Sequence, residues 1–325
     1  MCITCNKKLT INQIIQTDPT RTLSIRRRFV AQINRRFSRL KREVSRHIIE
    51  GALLKNAFDI LLTLRVNTTA AEWRSLYDPN KIPDFMVWLE EQNTKFILSK
   101  GGTGIEIVSR GDNWTDVHIR SAYQKGVQRA RQELIKAGVD LPSFESQPSG
   151  LSGVFNTPFH VDRVQLAFTQ TFEGLKGITK AMDAPISRAL AEGMARGDSP
   201  RVIARALAGK GGVLDKIGLN RARTLARTEV IRAHHGATIN EYEAAGITGV
   251  KVKVEWSTAG FNVCPICESN EGRIFTLNQI RGLIPVHPNC RCVAIPIVES
   301  DKKFKRKTSK VATSIVKGDV QFENV

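Results

Sequence analysis

The sequence predicts a mainly α protein: helical N-terminal and middle regions, then a small α+β C-terminal domain that holds a Cys/His cluster. Three observations predict it. Apolar residues recur every three or four positions along most of the chain. Apolar and polar residues alternate over Val250–Trp256, as in a half-buried strand. Four cysteines and a histidine crowd between positions 264 and 292.

The first element follows a turn at Asp18-Pro19-Thr20 and runs with helical periodicity from Leu23 to Leu64. Phe29, Ile33, Phe37, Leu40, Val44 and Ile48 make one apolar stripe along it. Arg26, Arg27, Arg28, Arg35, Arg36, Arg39, Lys41, Arg42 and Arg46 fill the other faces. Such a helix can be a core helix with a solvated back, a membrane-surface helix, or a contact with DNA or an acidic assembly partner. The third reading is preferred, because one-sign charge at this density repels itself until something neutralises it.

Helical signals continue from Thr68 to about Gly138, anchored by Trp73, Phe85, Trp88, Leu89 and Phe96, with an amphipathic segment from Asp112 to Lys136. Gly101-Gly102-Thr103-Gly104 interrupts them and reads as a turn, since no Gly-Lys-Ser/Thr ending follows. Residues 138–153 read as a linker. Further helices are expected from Val161 to Lys180, from Pro185 to Arg196, and from Pro200 to Ala208, the last started by Asp198-Ser199-Pro200. A long helix then runs from Leu219 to Ala245 and stops at Gly246. The expected divisions are a basic helical arm over 1–66, a helical region over 67–150, another over 151–216, a domain over 217–298, and a basic, disordered tail over 299–325.

The chain carries a formal charge of +18 over 325 residues, well above what solubility requires. The excess sits at the ends: residues 1–65 hold 14 Lys or Arg against 4 acids, and residues 301–325 hold 7 against 3. Candidate nucleic-acid contacts are therefore Arg26, Arg27, Arg28, Arg35, Arg36 and Arg39, with Lys302, Lys303, Lys305, Arg306 and Lys307 in the tail. No base-reading module is recognisable, and aromatics are scarce in the basic segments, so contact independent of sequence is expected. No stretch approaches the roughly 18 to 20 apolar residues of a membrane span, and Met1–Leu9 lacks the apolar core of a secretory signal. A protein made in the cytoplasm, with no membrane partner, is expected.

Cys264-Pro265-Ile266-Cys267 and His287-Pro288-Asn289-Cys290-Arg291-Cys292 place five soft or imidazole donors in two short turns joined by a loop. A tetrahedral zinc site needs that arrangement. Cys264 and Cys267 lead the ligand set, Cys290 follows, and either His287 or Cys292 completes it. Four protein ligands leave no position for water, so a structural zinc is expected over a catalytic one. Reduced thiols or disulfides are the alternative reading. Cys2 and Cys5 have the same spacing without nearby partners and read as free thiols. A zinc deaminase is set aside for want of a His-x-Glu element, and the mid-helix pair His234-His235 reads as surface histidines.

Taken together, residues from about Ile217 to Ile297 resemble the phage Mu F-like minor head proteins, also called phage head morphogenesis proteins. The resemblance rests on Ala226-Arg227-Thr228-Glu229 in a long helix, the Gly246 break, Trp256-Ser257-Thr258-Ala259, the first cysteine pair, Glu271-Gly272, and the His287–Cys292 run. Arg227, Thr228, Glu229 and Trp256 are its signature residues here. It implies a non-enzymatic, low-copy virion protein at the portal vertex, facing the DNA-filled capsid interior and linked to head assembly and to DNA packaging or retention. The implied partners are the portal protein, packaged double-stranded DNA and the major capsid protein. A zinc-dependent nuclease and a general nucleic-acid-binding protein are the alternatives. The chain departs from the family where an acidic residue commonly precedes the first cysteine, since Gly260-Phe261-Asn262 stands there.

Overall fold

The computed structural model describes residues 18–50, 81–99, 113–141, 155, 157–247, 252–260 and 262–298. The basic tail with Lys302, Lys303, Lys305, Arg306 and Lys307, the pair Cys2 and Cys5, residues 51–64 of the first expected helix, and the 101–104 turn lie outside the described residues. In chain order come α1 (Leu23–Glu50), α2 (Lys81–Phe96), α3 (Asp116–Lys136), α4 (Pro158–Arg196), α5 (Pro200–Ala208), a π-helical turn (Leu214–Leu219) and α6 (Asn220–Ile247). The smaller elements β1 (Val252–Ser257), α7 (Pro265–Glu268), β2 (Ile274–Thr276), α8 (Leu277–Ile280) and β3 (Val293–Val298) follow. The protein is thus mainly helical with a small α+β end carrying the Cys/His cluster, as the sequence predicts.

The turn at Asp18 starts α1 by satisfying orphan donors. Its carboxylate accepts from the Leu23 amide at 2.8 Å, the Thr20 hydroxyl at 2.6 Å and the Arg26 guanidinium at 2.6 Å. Every residue of the expected apolar stripe, Phe29 to Ile48, is buried. The stripe sits in one core with Phe85 and Leu89 of α2, Ile119 and Val127 of α3, Phe168 and Leu175 of α4, Leu207 of α5, and Ala226 and Val230 of α6.

Pro185 does not break the chain as the sequence suggests: α4 is one helix of 39 residues with the proline inside. Its buried face continues through that point as Leu175, Thr179, Met182, Ile186 and Leu190, all spaced by three or four. Continuous burial of this stripe outweighs the lost backbone hydrogen bond. The helix ends at Gly197 in the left-handed conformation, with Gly197 N donating to Met194 O and Asp198 N to Gly193 O, which satisfies its last carbonyls.

α3 and α6 pack closely because small residues line their contact. A Cβ placed on Gly126 would stand 2.3 Å from the His234 carbonyl oxygen and 2.8 Å from Ala237 Cβ. His234, on this contact, and His235, whose ring reaches Ile280, are both buried, which corrects the surface position expected for them. Burial holds the His235 pKa down to about 4, and its Nε2 donates to the Ile280 carbonyl.

From Ile231 onward α6 also enters a second core, while Ala233 and Ala237 still face the first. Ile231, Ile239, Tyr242 and Ala245 pack with Leu134 of α3, with Val254 and Trp256 of β1, and with Cys267, Cys290 and Cys292. The sheet has the order β2-β1-β3, all antiparallel, with β1 central. Strands β2 and β3 have no clear alternation in the sequence. β3 carries Pro296 opposite Val254, which an edge strand tolerates. Among the described residues, no helix is long and apolar enough to cross a membrane.

Two outcomes follow from this packing. Gly126→Ala forces α3 and α6 apart and costs about 3 kcal/mol in chemical denaturation. His118 stacks on Phe29 with centroids 4.5 Å apart, lies 2.6 Å from Gln32 Oε1, and has its pKa lowered to about 4 by burial, with Arg28 adding to the effect. A histidine whose pKa falls on folding stabilises the fold above its unfolded value, near 6.5. That contribution is lost as the pH drops through 6.5 towards 4, where the unfolded chain binds the extra proton. The melting temperature therefore falls across that window, and it falls less steeply in His118→Asn.

Candidate metal centre

Two tight turns present the cysteine-rich donors. Cys264 caps the single helical turn α7, with Pro265 at its first position, and Cys264 Sγ accepts from the Cys267 amide at 3.4 Å. The second turn closes through Cys290 N to His287 O at 3.1 Å, and Asn289 takes a positive φ of 64°.

The donor atoms gather into two triangles that share Cys267. Cys264, Cys267 and His287 make one, and Cys267, Cys290 and Cys292 the other, with the atoms of each triangle within 4.8 Å of one another. His287 Nε2 lies 3.1 Å from Cys264 Sγ and 3.0 Å from Cys267 Sγ, and Cys267 Sγ lies 3.9 Å from Cys290 Sγ. Two thiolates bound to one tetrahedral zinc ion stand about 3.8 Å apart, from Zn–S bonds of about 2.3 Å. His287 Nδ1 donates to the Pro288 carbonyl at 2.8 Å, so Nε2 is left with its lone pair facing the two thiols. The donor chemistry, the Nδ1 hydrogen bond of His287 and the sulfur separation all fit a metal ion, and these groups could hold one.

Electrostatics divide the thiols. The Cys292 thiol, donating to Cys290, is the largest influence holding the Cys290 pKa down to about 5, while that same bond drives Cys292 upward. Burial pushes Cys267 up to about 12. Cys290 is thus the readiest anion, and Cys292 acts as its hydrogen-bond donor.

Of the signature residues, Thr228 reaches this loop. Asn289 N donates to Thr228 Oγ1 at 3.4 Å, which joins α6 to the second turn. Glu229, buried beside it, pairs with Arg232 one turn on; burial raises its pKa and Arg232 opposes the rise. Arg227 is exposed, and its charge and that of Arg291 both oppose the charge on Arg26. Trp256 is buried on β1 against Phe275. Glu271 Oε2 accepts from Thr258 N at 2.6 Å, and Gly272, at φ 73°, donates its N–H to the Trp256 carbonyl. The bracing roles of Thr228 and Glu271 were not read from the sequence, where both entered only as parts of the family resemblance. A hydroxyl on the α6 face above an Asn-containing turn is the signal that could have found Thr228.

The basic candidates separate by environment. Arg27, Arg28, Arg35 and Arg39 are exposed, as are Arg42 and Arg46. Arg26 is buried in its ion pair with Asp18. Arg36 is half-buried, donates to Phe96 O at 2.7 Å and Ser99 Oγ at 2.8 Å, and lies over the Trp114 ring.

Residues 184–295 match the family described as Phage Mu protein F like protein, about a third of the chain. The matched segment begins next to Pro185 in α4 and ends in β3, so it contains α6 and the complete set of donors. No curated protein and no solved structure matches the chain.

Proposed function

Because residues 184–295 match the phage Mu F-like family, we propose that the chain is a minor head protein of a tailed phage. In this reading it is incorporated at the portal vertex, faces the capsid interior, and takes part in head assembly and in DNA packaging or retention. Its partners are the portal protein, packaged double-stranded DNA and the major capsid protein. The observation that carries the reading is the joining of the signature helix to the Cys/His loop through Thr228 and Asn289, both inside the matched segment.

The same reading assigns the loop a zinc ion held by Cys264, Cys267, His287 and Cys290, with Cys292 supporting Cys290 from behind. Zinc there supplies a crosslink between the two turns, and four protein ligands leave no position for a reacting water. The role is then structural. It stabilises the second core by tying α7 to the segment that leads into β3.

Two measurements test this. Mass spectrometry of purified virions finds the chain with the portal protein, and portal rings isolated from infected cells retain it; absence from particles, or metal-dependent cleavage of plasmid DNA by the pure chain, contradicts the proposal. Metal analysis of the isolated chain finds one zinc per chain. Cys267→Ser abolishes it, and Cys292→Ser keeps one zinc with affinity reduced by about tenfold, the scale of an outer-shell loss.

A further inference from the structure

The exposed arginines of α1 are not scattered around the helix. At 3.6 residues per turn, Arg28, Arg35, Arg39, Arg42 and Arg46 fall within an arc of about 60°, and at 1.5 Å per residue the row is about 27 Å long. All five are exposed. The opposite face holds Phe29, Ile33, Phe37, Leu40, Val44 and Ile48, all in the first core, so the helix cannot turn the row inwards. The other basic residues of α1 are mostly engaged elsewhere: Arg26 with Asp18, Arg36 with the end of α2, and Lys41 with Asp215 at 2.6 Å. Along the row, Glu43 offers a carboxylate, and it pairs with Arg46.

At one end the row borders a cleft of ≈ 370 Å³ lined by Arg39, Arg42, Glu43, Arg46 and Phe96. Its neighbours on the ridge are small or polar, Ala31, Gln32, Ser38 and Ser45, with Ile49 as the large apolar residue at the far end. A protein-binding surface needs a desolvated apolar centre, which this ridge lacks. A row of guanidinium groups at helical spacing instead suits a line of phosphates, where each contact releases a counterion.

We infer that Arg28, Arg35, Arg39, Arg42 and Arg46 form a phosphate-tracking ridge that seats the backbone of double-stranded DNA, with the Arg39–Arg46 cleft holding the most enclosed phosphodiester. The ridge rests on the DNA contact proposed above and gives it an address. Because α1 is walled in by the core on its other side, only the ridge meets the duplex. Base edges about 8.5 Å deep in the major groove are out of its reach, and binding is indifferent to sequence.

The test is a titration of a 20-base-pair duplex with the full chain from 50 to 200 mM salt. Replacing the five ridge arginines by Gln lowers the slope of log K against log salt by about 4.5, at roughly 0.9 per phosphate contact. A matched control, with Arg201, Arg205, Lys210, Lys216 and Arg221 changed to Gln, keeps the wild-type slope. Should the fivefold variant fold poorly by circular dichroism, the five single Arg→Gln changes each lower the slope by about 0.9. Equal losses in ridge and control variants, an unchanged slope, or binding to polyglutamate with no binding to the duplex overturns the ridge. A ridge that fails in a chain still found in virions leaves the head-protein reading standing. A ridge that holds in a chain absent from virions overturns only that reading.

Discussion

The rest of the structure depends on how closely α3 and α6 approach. Gly126 gives up its side chain so that the His234 carbonyl can pass at a distance no Cβ would permit. That approach allows one helix, α6, to serve two cores. Its first half, through Ala222, Ala226 and Val230, closes the helical body. Its second half, through Ile231, Ile239 and Tyr242, carries the sheet and the cysteine loop. The donor turns are therefore mounted on a helix whose position the body has already fixed.

The signature motif takes its meaning from that mounting. Thr228 stands near the changeover from one core to the other and receives the Asn289 amide. Two residues before Thr228 Ala226 lies in the body, and three after it Ile231 lies against the module. Arg223, one turn earlier, donates to Asn34 of α1 at 2.7 Å. The matched segment is thereby linked to α1, which lies outside it, so the basic helix and the Cys/His loop share one framework.

Much of this was legible in residue spacing. The Phe29–Ile48 stripe, the Asp198-Ser199-Pro200 start of α5 and the clustering of cysteines each depend on local periodicity or sequence distance, and each is where the sequence places it. What the sequence hid depends on packing between distant segments. Pro185 looks like a stop until the buried stripe on both sides of it is seen to be continuous. His234 and His235 look solvated until Gly126 brings α3 against the first and the Ile280 carbonyl meets the second. Arg26 and Arg36 look like their exposed neighbours, yet Asp18 and the Phe96 carbonyl claim them. The orientation of His287 was hidden too: the Pro288 carbonyl takes up Nδ1 and turns Nε2 towards both thiols of the first pair.

The central claim is that α6 couples the two cores, so that damage to the module spreads along the helix. Hydrogen exchange measured residue by residue in Trp256→Ala, which removes the largest fully buried side chain from the second core, tests it most directly. The account predicts faster exchange from Ile231 to Ala245 and in the last turns of α3, with the buried stripe of α1 still protected. Faster exchange confined to β1 to β3 and the cysteine loop, with α6 unchanged along its length, would contradict it.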